Sequence, residues 1–220
     1  MNLHEFQAKD ILARYGLMSP GGAVAITPEE AEAVARRLGS PMIAVKAQVH
    51  AGGRGKAGGV RLVTSPHAAR EAAAEMLGRK LVTAQTGPEG RIVRRVFVET
   101  GLASQRDLNL AVLVDRTLGE LVVLGSPEGG EDLEERALKG ELKLERLPLG
   151  TGATPRHDEA LAFAARLGLT GAEGAALAGI VDGLRRAFVE LDASLIEINP
   201  LALTEDGRLV AFDAKMVIDD

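Results

Sequence analysis

Residues 42–63, MIAVKAQVHAGGRGKAGGVRLV, set five glycines (Gly52, Gly53, Gly55, Gly58 and Gly59) between two short apolar runs. The first run, 42–45, reads as a buried strand that ends on Lys46, and the second, 60–63, as a strand returning from the loop. Glycine at this density lets backbone N–H groups approach an anion without side chains intervening, and Arg54 and Lys56 add positive charge. A polyphosphate is the simplest occupant. Two common phosphate motifs do not fit. Gly53, Gly55 and Gly58 have G-x-G-x-x-G spacing, but a dinucleotide fingerprint opens a helix, whereas here Val-Arg-Leu-Val follows. A P-loop needs Gly-Lys-Ser/Thr, and Lys56 is followed by Ala57. A plain surface hairpin accounts for the glycines but not for the cations beside them.

With 220 residues the chain is long enough for one large domain or two lobes. Aromatic content of 3% without tryptophan argues against base-stacking platforms, and a net charge of −5 argues against a duplex-binding face, so no nucleic-acid partner is expected. There is no cysteine, which removes disulfides and thiolate nucleophiles and fits a reducing compartment. The mixed start MNLHEFQAKD does not read as a signal peptide, and no apolar run approaches the ~20 residues that span a bilayer. A soluble, cytoplasmic protein without a membrane partner is the expectation.

Along the chain, Asn2 and Glu5 have capping-box spacing ahead of Leu3, Phe6, Ile11, Leu12 and Tyr15, which predicts a helix over 3–15 ended by Gly16. Residues 21–26 follow as a short strand. Thr27-Pro28-Glu29-Glu30 then caps a helix running to Leu38, and Ser65-Pro66 starts another ending near Gly78. The alternation in RIVRRVFVE predicts one strand over 91–99, and 107–115 with 120–124 form a hairpin turned at 116–119. Residues 127–158 carry little legible pattern; helices are expected over 158–167 and 171–190.

The C-terminal stretch reads as two strands, 194–203 and 208–215, joined by Glu205-Asp206-Gly207 with Gly207 in the left-handed position of a three-residue loop. That loop pairs Thr204 with Arg208, and counting outward sets Asn199 opposite Asp213 and Glu197 opposite Lys215. An amide oxygen and a carboxylate so placed can share Mg²⁺, which usually takes one or two protein oxygens and completes its shell with phosphate and water. A two-residue turn at Asp206-Gly207 would slip the register by one and lose the pairing. Pro200 within the strand points to an edge position, where polar residues are simply solvated. His4, His50, His67 and His157 show no metal-ligand spacing.

Taken together, MNLHEFQAKDILARYGL, VKAQVHAGGRGKAGGV, VFVET and SLIEINPLALTEDGRLVAFDAK resemble the β-subunit family of succinyl-CoA synthetases, within the ATP-grasp superfamily. The resemblance implies an α+β protein with the ATP-grasp fold, two α+β lobes clamping a nucleotide: a small lobe over 20–102 with the glycine loop, and a larger one from 1–19 and 103–220 with the metal-binding hairpin. It implies that Lys46 contacts the phosphates of ATP or GTP, that Gly53, Arg54 and Gly55 cover them, that Glu99 and Leu102 line the base and hinge, and that Asp107 lies near the ribose. Asn199 and Asp213 would hold Mg²⁺, and Glu197 would receive or orient a phosphohistidine of an α subunit in an αβ or α2β2 assembly. The reaction implied is succinate + CoA + NTP ⇌ succinyl-CoA + NDP + phosphate, a step of the tricarboxylic acid cycle. Family members continue into a C-terminal CoA-ligase domain absent here, so full activity is not expected of this chain alone. Read from the residues themselves, Lys46 is either a phosphate ligand or a solvated strand end, and Glu99 either lines the nucleotide or caps a strand. Another acid–CoA ligase such as a malate-CoA ligase, and a nucleotide-binding module without chemistry, are the alternative functions.

Overall fold

A computed structural model describes residues 1–117, 119–130, 132–150 and 157–219. In chain order the elements are α1 (Glu5–Ala13), β1 (Gly22–Ala25), α2 (Pro28–Leu38), β2 (Ile43–Ala47), β3 (Val60–Val63), α3 (Pro66–Met76), β4 (Lys80–Leu81), β5 (Arg91–Ile92) and β6 (Val96–Thr100). There follow β7 (Arg106–Asp115), β8 (Glu120–Ser126), α4 (Leu133–Leu138), β9 (Glu145–Gly150), α5 (His157–Arg166), α6 (Gly171–Glu190), β10 (Ala193–Leu203), β11 (Leu209–Ala211) and β12 (Ala214–Ile218). The chain divides into two compact units, Pro20–Leu102 and the pair of segments Met1–Ser19 with Ala103–Asp220.

In the Pro20–Leu102 unit, an antiparallel sheet of order β1-β6-β2-β3 is covered by α2 and α3. Both helices start as their caps require, with Thr27 and Ser65 side chains accepting from Glu30 and Ala68 N–H and proline in the first turn. Ile43, Val45 and Ala47 of β2 join Val96 and Val98 of β6 in the core beneath Val34, Ala35, Ala69 and Ala73. The period of a strand then turns Ala44 and Lys46, with Phe97 and Glu99, to the other face.

In the other unit, β11-β10-β7-β8-β9 form an antiparallel sheet, and β12 pairs with β10 beyond the end of β11. Leu110, Val112, Val123, Ile196, Ile198 and Met216 share a core with α1, α5 and α6, while Ala111, Glu197 and Asn199 lie at alternate positions on the opposite face.

Several expectations need correction. The first helix begins at Glu5, not at Leu3, and Gln7 rather than Glu5 reaches back to the cap, its side-chain oxygen accepting from His4 N–H at 3.0 Å. Residues 1–3 are drawn alongside β12 instead, with Leu3 N–H donating to Met216 O at 3.0 Å, and the helix starts only where the chain leaves that ladder. The strand read over 91–99 is two, because 91–92 pair with β4 and 96–100 with β1 and β2. The 208–215 strand is likewise broken, into β11 and β12. Pro200 does not mark an edge: β10 lies between β7 and β11. The proline is accommodated where the β7 pairing shifts between Ile198 and Leu201, so its missing N–H falls at an interruption of the ladder. The turn expected at 116–119 includes Leu118, outside the described residues, and its flanks close by Gly119 N–H donating to Asp115 O at 2.8 Å.

Candidate functional site

The apolar run of β2 carries Lys46 to the strand end as expected, but the side chain is not solvated. Lys46 pairs across the sheet with Phe97, so Glu99, two residues along β6, is its diagonal neighbour on the same face. Nζ lies 2.6 Å from Glu99 Oε1, with the two side chains only 9% and 2% exposed. A buried ion pair of this kind is retained only with good geometry and further polar contacts. Glu99 is thus a buried counter-charge to Lys46. Gly22 faces it from β1, where a Cβ would come within 2.7 Å of the Glu99 Cβ.

Beyond Ala47 the glycine loop folds back on the strand. Gly53 and Gly58 adopt φ +69° and +76°, which favour glycine, and Gly59 N–H donates to Arg54 O at 2.7 Å. Arg54 is buried, and its guanidinium donates to Ala47 O at 2.9 Å, so this cation braces the loop, whereas Lys56 is exposed. From outside, Gln85 accepts from Gly52 N–H at 2.8 Å, a contact between residues 33 apart that no local pattern announces. The loop runs into β3 and opens no helix, as expected. Leu102 follows β6 and is partly buried at the end of this unit.

In the other unit, Asp107 is exposed on β7 and pairs with Ala202. The C-terminal hairpin has the expected three-residue loop: Thr204 N–H donates to Arg208 O at 2.9 Å and Gly207 has φ +77°. Asp206 is gripped by the Thr204 hydroxyl and then by Arg208, and these contacts hold its carboxyl below the usual aspartate value. Pairs Leu201↔Ala211 on one side and Ile198↔Ala214, Glu197↔Lys215 on the other keep one register, which brackets Asn199 and Asp213 as facing positions. Glu197 also faces Ala111.

The Asn199 carboxamide is fixed by a two-point grip. Its Oδ1 accepts from Gly130 N–H at 2.9 Å and its Nδ2 donates to Gly130 O at 3.0 Å. Gly130 sits at φ +133°, and a Cβ on Gly129 would meet Leu108 O at 2.8 Å, so both positions require glycine. Asp213 Oδ1 accepts from Ala214 N–H at 2.8 Å. An amide oxygen has a second lone pair and a carboxylate several, so both groups fit a hard oxygen-seeking cation such as Mg²⁺. Among the described residues no group of three or more His, Cys, Asp or Glu could hold a metal alone. A two-residue site would therefore draw its remaining oxygens from ligand and water. Sequence reasoning missed Asn109 and Ser126, buried partners across β7 and β8, along with Gly129 and Gly130; the Gly129-Gly130 pair was the available signal.

The family described as ATP-grasp domain matches residues 2–203. The chain is 51% identical over 223 residues to the succinate–CoA ligase [ADP-forming] subunit beta of Anaeromyxobacter sp. (strain K), and 45% identical over 222 residues to that of Myxococcus xanthus (strain DK1622). Each alignment covers 100% of this chain and 57% of the relative, so the chain spans little more than half the length of these curated relatives. Among solved structures, the dinucleotide-forming acetyl-coenzyme A synthetase 1 of Ca. Korarchaeum cryptofilum superposes with TM-score 0.72 at 19% identity, over 99% of this chain and 93% of that one. ATP citrate lyase from Methanothrix soehngenii gives TM-score 0.74 at 18% identity, over 100% of this chain and 51% of that one. At such identities these two likenesses speak for the fold. With the family match running almost from end to end, the chain belongs to the ATP-grasp domain family.

Proposed function

We propose that this chain is the nucleotide-binding part of a succinate–CoA ligase β subunit. It binds Mg-ATP, with Mg-GTP as the competing nucleotide, and acts with an α subunit, in an αβ or α2β2 assembly in the cytoplasm, to convert succinate and CoA into succinyl-CoA. In this reading Lys46 and the amides of Gly53, Arg54 and Gly55 take the phosphates, and Glu99 holds the lysine while lining the nucleotide with Leu102. Asp107 lies towards the ribose. Asn199 and Asp213 hold Mg²⁺, which when bound neutralises phosphate charge. Glu197 orients the phosphohistidine segment of the α subunit.

The observation that supports the reading is the common register of Leu201↔Ala211 and Ile198↔Ala214 on either side of Asn199 and Asp213, in a chain half identical to named β subunits. "ADP-forming" in the relatives' names favours ATP. Phosphoryl transfer asks chiefly for positioning and charge neutralisation, and a lysine, an amide-rich loop and a cation pair supply both. Isothermal titration with Mg-ATP and Mg-GTP tests it. ATP is expected to bind tighter than GTP, and Asp213→Ala to weaken ATP binding at least about tenfold, the lower range for losing a metal-site group. Equal affinity in wild type and variant would defeat the assignment.

A further inference from the structure

We propose that Lys9, with its buried partner Glu5, is a positioning residue for Asp213: reaching across from α1, it fixes the strand break that presents the Asp213 carboxylate to a divalent cation. This rests on the metal reading above and deepens it. The chain is in regular register up to Ala211 and again from Ala214, yet between them the ladder is interrupted. Specific hydrogen bonds hold the chain around the break. Ala211 N–H donates to Met18 O at 2.8 Å, Phe212 N–H to Pro200 O at 3.0 Å, and Ala214 N–H to Asp213 Oδ1 at 2.8 Å. The Phe212 carbonyl, one peptide before Asp213, accepts from Lys9 Nζ at 2.7 Å.

Lysine is almost never fully buried unless paired. Lys9 Nζ lies 2.9 Å from Glu5 Oε1 one helical turn away, and both side chains are 2% exposed. Taking two charges out of water is expensive, and an apolar pair of similar volume would often be as stable or more so. Packing alone therefore does not explain the pair. What an apolar pair lacks is a donor for the Phe212 carbonyl, and that donor tethers the peptide leading into Asp213. Without it, residues 212–213 relax while the register on either side holds the fold, and the carboxylate loses its aim.

The test is a titration with Mn²⁺ in the presence of saturating ADP, read as free Mn²⁺ by electron paramagnetic resonance, on wild type, Asp213→Ala and the double variant Glu5→Leu/Lys9→Met. The double variant removes both charges, so no ion is stranded. It is expected to melt close to wild type yet bind Mn²⁺ roughly tenfold or more weakly, the range typical of outer-shell losses at metal sites. If it fails to fold, Glu5→Gln/Lys9→Met is judged by the same criterion. Wild-type Mn²⁺ affinity in the folded double variant, with affinity lost in Asp213→Ala, would overturn the positioning role alone. Unchanged affinity in Asp213→Ala would overturn the metal reading and this proposal with it.

Discussion

Replacing Lys46 by methionine, close to it in length and shape, removes the ammonium and leaves Glu99 at 1% exposure without its Lys46 counter-charge. Breaking a buried pair by deleting one member costs about 3–5 kcal/mol, because the survivor remains desolvated. Glu99 keeps other contacts, so the lower figure is the better expectation. In a unit of roughly 80 residues, 1 kcal/mol moves the melting midpoint by about 4–8 °C, so about 3 kcal/mol means roughly 12–24 °C. Differential scanning calorimetry reports the shift, and hydrogen exchange at β2 and β6 amides assigns it to the Pro20–Leu102 unit. The double variant Lys46→Met/Glu99→Leu, which buries no charge, is expected to regain most of the loss. A single variant melting within about 2 °C of wild type, below what even 1 kcal/mol produces, would refute the reasoning. So would a double variant no more stable than the single. The pair also separates stability from binding, since the proposed function expects the recovered double variant still to bind ATP poorly.

Two further outcomes follow from the geometry. Asp206 is held below its ordinary value of 3.8 by the Thr204 hydroxyl and by Arg208, so its contribution to the hairpin is present above the unfolded pKa and fades as pH falls through the lower folded one. Carbon-13 NMR of its carboxyl should give a midpoint under 3.8 that rises in Thr204→Val; a midpoint at or above 3.8 in wild type would contradict this. Gly183 lets α6 approach the turn that follows α1 so closely that an added Cβ would sit 2.0 Å from Tyr15 O. Gly183→Ala should therefore cost about 2–3 kcal/mol in urea unfolding, typical of overpacking, and an unchanged midpoint would show that the turn at Tyr15 yields freely.

Much of this was legible in the sequence where local rules decide. The glycine loop ends in a strand because β-branched residues follow Gly59, and the C-terminal register follows from Gly207 at a three-residue loop. Thr27 and Ser65 cap the helices they were expected to cap. What escaped depends on partners distant in the chain. Leu3 left the expected first helix for β12, and Arg54 turned inward to Ala47. Gly130 proved to be the grip on Asn199 from 69 residues away, while Lys9 found its carbonyl 203 residues on. The short β4, β5, α4 and β9 carry too few residues for a periodic signal.

In the proposed function the glycine loop takes the phosphates of the nucleotide and the Asn199/Asp213 couplet takes its metal. Anomalous diffraction from crystals grown with Mn²⁺ and ADP tests it most directly. One manganese peak is expected at coordination distance from Asn199 Oδ1 and an Asp213 oxygen, with the same ADP's phosphates on the amides of Gly53, Arg54 and Gly55. ADP bound away from those amides, or manganese held by other residues with the Asn199 grip on Gly130 undisturbed, would contradict it.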